Sequence, residues 1–139
     1  MWISFTFLFE KTTLIHFYFI FYFSMYFDAQ MTKFHGFTDG ANRPTQNLAS
    51  TTWVIYSPSD ELIISAGLCL APATNNVAEY QAATGLMAEA LSSRISQLII
   101  HLDSQLIVLQ INVIFSILYP TLLHLFQRVC LLESSFTYI

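Results

Sequence analysis

Three acidic residues, each close to the end or the start of a predicted element, constrain the fold of this chain more than any other feature. Asp39 follows a predicted strand, Glu79 lies in the first turn of a predicted helix, and Asp103 follows a short apolar strand. Rigid elements that are far apart in sequence can bring such side chains together, and carboxylate oxygens are the ligands that Mg²⁺ and Mn²⁺ prefer. The order therefore predicts a carboxylate cluster that binds divalent metal.

Runs of β-branched, aromatic and other apolar residues predict a sheet. Four of them are 34–38, 51–56, 61–70 and 97–102. The first three are joined by a polar loop at 42–50, which contains no glycine, and by a short turn, so an antiparallel meander is favoured. The fourth is short and mostly apolar, as expected of a buried strand. A fifth strand is predicted to begin at 136–139.

Helices are predicted after the third and the fourth strand. They are expected over 76–92, over 104–115 and from Pro120 onward. The first helix carries a stripe of apolar residues at helical spacing that is expected to face the sheet. The stripe consists of Tyr80, Ala83, Met87 and Leu91. Strands and helices in this order predict an α/β fold with a mixed sheet.

The three acids stand in short signatures, D-G-A at 39–41, T-N-N-x-x-E at 74–79 and D-S-Q at 103–105. In this order the signatures resemble the ribonuclease H superfamily, type 1, and most closely its plant retroelement-derived, reverse-transcriptase-associated branch, over 33–139. The resemblance implies a ribonuclease H-like fold, in which three antiparallel strands precede parallel strands and helices flank the sheet. It also implies an endonuclease that hydrolyses the RNA strand of RNA/DNA hybrids with two Mg²⁺ or Mn²⁺ ions.

The resemblance assigns roles to six residues. The catalytic and metal-binding role falls on Asp39, Glu79 and Asp103. Contact with the hybrid in its minor groove falls on Asn75, Asn76 and Gln105. A wide, shallow minor groove displays 2′-hydroxyls, which amide side chains can read.

Each assignment has a structural alternative. Asp39 precedes Gly40, and Asp-Gly is a turn signal. Glu79 stands three residues after Asn76, which is the spacing of a capping box. Asp103 could cap the helix that follows it, and the three amides could serve as caps or turn residues. The residues alone leave both roles open at each position.

Two histidines precede the aspartates on the predicted strands. His101 stands two residues before Asp103, so strand alternation places both on one face. His35 stands near Asp39 in a similar relation. These histidines are expected either to be buried in the core or to support the acids.

Two features weigh against an efficient enzyme. The net charge is −4, and the basic residues after residue 30 are Lys33, Arg43, Arg94 and Arg128. Binding to nucleic acid is therefore expected to be weak and salt-sensitive. The resemblance also implies a last helix with a fourth active-site acid, and that helix is missing here, so we expect a C-terminally truncated domain with reduced or absent hydrolysis. The alternative function is a catalytically silent, nucleic-acid-binding remnant of a retroelement.

Residues 1–30 form an apolar, aromatic segment that is expected to lie outside the domain, which spans 31–139. The longest apolar run in this segment is shorter than the roughly 20 residues that cross a bilayer. A membrane or signal segment, a packed appendage and a fused stretch that is not native coding sequence are the three alternatives. Any association with a membrane is expected only through residues 1–27.

The two cysteines, Cys69 and Cys130, bear on the compartment. Neither belongs to a C-x-x-C pair or has a histidine at zinc spacing. We expect both thiols to be reduced and buried, which favours a cytoplasmic or nuclear protein.

Overall fold

A computed structural model describes residues 32–112 and 116–139, and Lys33–Ile139 form one compact unit. The elements in chain order are β1 (Phe34–Arg43), a 3-10 turn (Pro44–Gln46), β2 (Leu48–Tyr56), β3 (Leu62–Leu70), α1 (Asn75–Ser92), β4 (Leu98–His101), α2 (Gln105–Ile111) and α3 (Pro120–Glu133). The predicted order of strands and helices is confirmed. The expectations for the segment 1–30 lie outside the described residues.

The sheet contains four strands in the order β3-β2-β1-β4. β1 pairs antiparallel with β2 and parallel with β4, and β2 pairs antiparallel with β3. Phe37 on β1 is level with Val54 on one side and with His101 on the other. Three antiparallel strands followed by a parallel one confirm the predicted mixed sheet.

The connection between β1 and β2 is a tight hairpin, so the predicted loop over 42–50 is wrong for most of its length. β1 continues to Arg43, which pairs with Leu48 at the start of β2. Asn47 closes the hairpin with a φ of 53°. Asparagine tolerates this left-handed conformation better than most residues do. The hairpin therefore closes although the segment 42–50 contains no glycine.

The main core lies between α1 and one face of the sheet. Trp53 and Ile55 alternate toward this side of β2 and cluster with the fully buried Leu86 of α1. A second cluster joins α1 to α2 and α3. Its buried members are Tyr80, Met87, Ile107, Leu122, Leu125 and Val129. Packing on two sides fixes α1 on the sheet and thereby fixes the position of its first turn.

The last residues join the sheet through one bridge. Gln97 and Tyr138 form a parallel bridge, and the Leu98 N–H donates to the Tyr138 carbonyl at 3.0 Å. The strand predicted at 136–139 is therefore present only as the start of a fifth strand beside β4.

Both cysteines are free and exposed, Cys69 on β3 and Cys130 on α3. The expectation that they are buried is wrong, because β3 is an edge strand and α3 buries only one side of its surface. Among the described residues, no helix is long and apolar enough to cross a membrane.

Candidate active site

The first turn of α1 lies directly against β1 at Gly40. A Cβ atom built on Gly40 would lie 2.5 Å from the backbone nitrogen of Glu79 and 2.6 Å from the carbonyl carbon of Ala78. These distances are far shorter than a Cβ atom tolerates, so the close approach of the two backbones requires glycine. Gly40 thus brings Glu79 to the strand that carries Asp39.

The Glu79 carboxylate reaches back to β1. Its Oε1 accepts a hydrogen bond from the Gly40 N–H at 3.2 Å, and its Oε2 is buried without a hydrogen-bond partner among the described residues. Burial raises the pKa of Glu79, the Gly40 hydrogen bond lowers it, and the negative charges of Asp39 and Asp103 raise it further. A buried carboxylate oxygen that lacks a donor and faces two other acids favours the binding of a cation.

Asp39 lies on β1, and Asp103 follows the neighbouring parallel strand β4. Phe37 pairs with His101 at the end of β4, and each aspartate stands two residues further along its own segment of chain. Both aspartates are exposed. Asp39 lies inside β1, where it pairs with Thr52, so the alternative that it is a turn residue is wrong. The charges of Asp39 and Asp103 both raise the pKa of Glu79, so the three acids are electrostatic neighbours.

The acids do not form a closed metal site by themselves. Across residues 32–112 and 116–139, no group of three or more His, Cys, Asp or Glu side chains could hold a metal ion as placed. Like charges repel one another, so three carboxylates have no reason to converge without a cation between them. The donor set nevertheless fits Mg²⁺ or Mn²⁺, because it consists of carboxylate oxygens and includes the buried Glu79 Oε2.

Other residues than the predicted ones supply the helix caps. Thr74 is the N-cap of α1 and accepts a backbone N–H at 3.3 Å, and Ser104 is the N-cap of α2. The capping box of Asn76 with Glu79 is therefore wrong, and so is the alternative that Asp103 caps the next helix. The Glu79 carboxylate accepts a hydrogen bond from β1 and not from its own helix.

The three predicted amide residues lie at the starts of two helices. Asn75 and Asn76 begin α1, and Gln105 begins α2. Asn75 and Gln105 are exposed and Asn76 is half-buried. None of the three amide side chains makes a hydrogen bond within the described part of the chain, so they are not acting as caps. Their contact with nucleic acid stays a prediction.

Sequence analysis missed the packing role of Gly40 and the pairing of two histidines. His35 Nδ1 and His101 Nε2 lie 3.1 Å apart. His101 is exposed and His35 half-buried, so the expectation of core histidines is wrong. The parallel register between β1 and β4 produces this pair, and nothing in the spacing of either strand alone would have revealed it.

Comparison with known proteins relates the chain to the ribonuclease H superfamily. A family model described as reverse transcriptase-like matches residues 37–139. Ribonuclease HI of Halobacterium salinarum is 30% identical over 80 residues, which are 58% of this chain and 40% of that protein. The chain therefore spans about 40% of the length of this curated relative.

Solved structures share the fold. Ribonuclease H1 of Halobacterium salinarum superposes with a TM-score of 0.72 at 28% identity, over 76% of this chain and 80% of that one. The N-terminal RNase H domain of a Mycobacterium tuberculosis protein gives a TM-score of 0.73 at 26% identity, over 78% of each chain. LC11 ribonuclease H1, isolated from compost, gives 0.67 at 24% identity, over 77% of this chain and 83% of that one, and this last likeness concerns the fold alone.

Proposed function

Because the chain belongs to the reverse transcriptase-like family of the ribonuclease H superfamily, we propose that it is a metal-dependent endonuclease that hydrolyses the RNA strand of RNA/DNA hybrids. LC11 ribonuclease H1, which has the same fold, has been solved in complex with an RNA/DNA hybrid. The match to a reverse transcriptase-like model supports an origin in a retroelement. The activity is proposed for this chain from its site and its family together.

The observation that carries the proposal is the environment of Glu79. One oxygen is held by the Gly40 N–H, while the other is buried and has no hydrogen-bond donor in the described structure. The aspartates 39 and 103 raise the pKa of this carboxylate after burial has already raised it. An arrangement that opposes its own ionisation is typical of a functional site rather than of a structural ion pair.

The chain's own part in the chemistry is to hold three carboxylates on rigid elements. Divalent ions bound to Asp39, Glu79 and Asp103 would supply water activation and stabilisation of the leaving oxygen of a phosphodiester. The Gly40 N–H fixes Glu79 Oε1 and leaves Oε2 for a ligand. Asp39 lies on β1 and Asp103 follows β4, and the pairing of these two strands brings the two segments side by side.

Because the chain has few basic side chains to pair with phosphates, other contacts would hold most of the substrate. The net charge of −4 predicts weak and salt-sensitive affinity for any nucleic acid. The free amides of Asn75 and Gln105 stand at helix starts, where we propose that they contact sugar hydroxyls in the minor groove. Recognition of this kind favours a hybrid with an RNA strand over double-stranded DNA.

The test is cleavage of a fluorescently labelled RNA/DNA hybrid by the full chain in Mg²⁺ or Mn²⁺, with double-stranded DNA of the same sequence as comparison. We expect cleavage of the RNA strand only. Asp39→Asn and Glu79→Gln should each lower the rate by about 100-fold or more, because they remove metal-binding oxygens. Glu61→Gln is the matched control, since Glu61 is exposed and its carboxylate makes no hydrogen bond in the described structure.

Three outcomes are informative. Equal cleavage by wild type and Asp39→Asn would show that these acids are not catalytic. Loss of activity in the Glu61→Gln control would show a general effect of charge. A folded wild-type protein that binds the hybrid without cleaving it would replace the proposal with a catalytically silent nucleic-acid-binding module.

A further inference from the structure

β3 is the outer strand of the sheet, at the opposite end from β4. It pairs with β2 on one side, and across residues 32–112 and 116–139 no strand pairs with its other side. Because successive strand residues direct their backbone N–H and C=O groups to alternate sides, about every second residue of β3 offers a donor and an acceptor outward. The protein partner that satisfies a row of such groups is another β-strand. We call this feature the β3 edge.

The β3 edge lacks the residues that commonly prevent pairing between copies. Exposed edges are usually protected by charged side chains, above all lysine, and by proline. The strand Leu62–Leu70 contains no charged residue and no proline. Its pairing with β2 shifts register near Ile55 and Tyr56 and is regular over 64–70, a length of about 20 Å. This stretch of β3 is therefore free to pair with a further strand.

Large apolar side chains are exposed along the β3 edge. Leu62, Ile63 and Leu68 are 55%, 49% and 55% exposed. Ala66 is level with Trp53, which packs against α1, so the even-numbered residues of 64–70 lie on the α1 side of the sheet. Leu68 is nevertheless exposed, because α1 packs mainly on β1 and β2. A strand added beside β3 would cover part of this apolar surface.

The stretch 64–70 is complementary to an antiparallel copy of itself. A two-fold axis through Gly67, perpendicular to the sheet, places Ile64 opposite Leu70 of the second copy. The same axis places Ala66 opposite Leu68 of the second copy. Because such an axis keeps each side chain on its own side of the sheet, the pairs that meet on the α1 side are all apolar. Cross-strand apolar pairs of this kind stabilise a sheet.

Charge also favours the antiparallel arrangement over a parallel one. Asp60 and Glu61 directly precede β3 and are exposed. A parallel copy in register would place each acid beside its own counterpart, and like charges directly opposite each other are destabilising. In the antiparallel arrangement the two acids lie beside residues 71–74 of the second copy, which carry no charge. Two-fold symmetry also closes the assembly at two copies.

We infer that the β3 edge is an interface at which two copies of this chain join their four-stranded sheets through an antiparallel β3–β3 pair. Backbone hydrogen bonds hold the pair together, and the apolar row that includes Leu68 becomes covered. Asp39 lies on β1 and Asp103 follows β4, so β2 separates both from the interface. The dimer therefore leaves the candidate active site open, and the inference does not rest on the proposed nuclease activity.

Analytical ultracentrifugation of the full chain at a series of concentrations measures this association. We expect wild type to sediment as a monomer–dimer equilibrium. Leu68→Lys should raise the dimer dissociation constant by about tenfold or more, because each copy then brings an ammonium group into the apolar row. Leu131→Lys makes the same change at a 72% exposed leucine on α3 and should leave that constant unchanged.

Disulfide cross-linking tests the register without disturbing the apolar row. The axis at Gly67 places Cys69 opposite Ser65 of the second copy, whereas Cys69 and Ser65 of one chain are about 13 Å apart. With Cys130→Ser removing the other thiol, Ser65→Cys should form disulfide-linked dimers under mild oxidation, and the chain with Cys69 alone should not.

Four results would overturn the inference. They are a wild type that stays monomeric at every concentration, a dimer that Leu68→Lys leaves intact, a dimer that Leu131→Lys dissociates, and a dimeric Ser65→Cys sample that forms no cross-link. If Leu68→Lys fails to fold, as seen by circular dichroism, the cross-linking result decides alone.

Discussion

The close contact between β1 and α1 makes Gly40→Ala the most informative perturbation of the site. The added Cβ would lie 2.5 Å from one backbone atom, 2.6 Å from a second and 2.9 Å from a third, all in residues 78 and 79. Backbone atoms cannot rotate away as a side chain can, so α1 and β1 must separate. Separation also stretches the 3.2 Å hydrogen bond from the Gly40 N–H to Glu79.

The size of the effect follows from three contributions. Overpacking costs about 1–3 kcal/mol, and loss of a hydrogen bond to a charged group costs about 1.5–3 kcal/mol. No described glycine has a positive φ, so alanine at position 40 regains about 0.4–1 kcal/mol through the unfolded state. We expect Gly40→Ala to lower the free energy of unfolding by about 1.5–5.5 kcal/mol.

Urea unfolding of the full chain, followed by circular dichroism, measures this change. Gly36→Ala is the matched control on the same strand, because its Cβ would meet only carbons of the Leu86 side chain, which can shift. The control should lose less than Gly40→Ala, because it keeps the Glu79 hydrogen bond and adds only overpacking of about 1–3 kcal/mol, of which about 0.4–1 kcal/mol is regained through the unfolded state. Equal losses in the two variants, or no loss in Gly40→Ala, would refute the argument that a glycine is needed for this contact.

Two further predictions concern buried polar groups. The pKa of Glu79 is raised in the folded protein, so the stability it contributes is present at low pH, below its unfolded pKa, and is lost as pH rises through the folded pKa. Without divalent metal, Glu79→Gln should therefore be more stable than wild type at pH 7 and about as stable as wild type below the unfolded pKa of glutamate. Urea unfolding at a series of pH values measures the difference, and equal stabilities at every pH would contradict this prediction. Tyr80 donates to Gln110 Oε1 at 3.0 Å in the core, so Tyr80→Phe should lose about 1–3 kcal/mol of unfolding free energy. The double variant with Gln110→Leu should lose less than the two single losses combined, whereas strict additivity in thermal melts would refute the coupling.

The parts of the fold with a clear periodicity could be predicted from sequence. The first helix is predicted over 76–92 and runs over Asn75–Ser92, because its apolar stripe has to face the sheet. In that stripe Tyr80 and Met87 are fully buried or nearly so. The ends of strands that consist of polar residues were harder to predict. The segment 42–50 is predicted to be a loop because most of its residues are polar, and this composition does not reveal that both of its ends pair in a hairpin.

The caps and the site geometry could not be derived from local signals. Thr74 and Asn76 are both good N-cap residues, and the structure uses Thr74. The meeting of His35 with His101 depends on the register of two strands that are more than 60 residues apart in the chain. The roles of the three acids stay predictions, because the spacing of carboxylates on separate elements is a tertiary property.

The most direct test of the central claim is Mn²⁺ binding by the full chain, measured by electron paramagnetic resonance. If Asp39, Glu79 and Asp103 form one cation site, wild type binds Mn²⁺, and Asp39→Asn and Asp103→Asn each weaken that binding by about tenfold or more, while Glu61→Gln does not. The same Mn²⁺ affinity in wild type and in both aspartate variants, or no binding by folded wild type, would contradict the account.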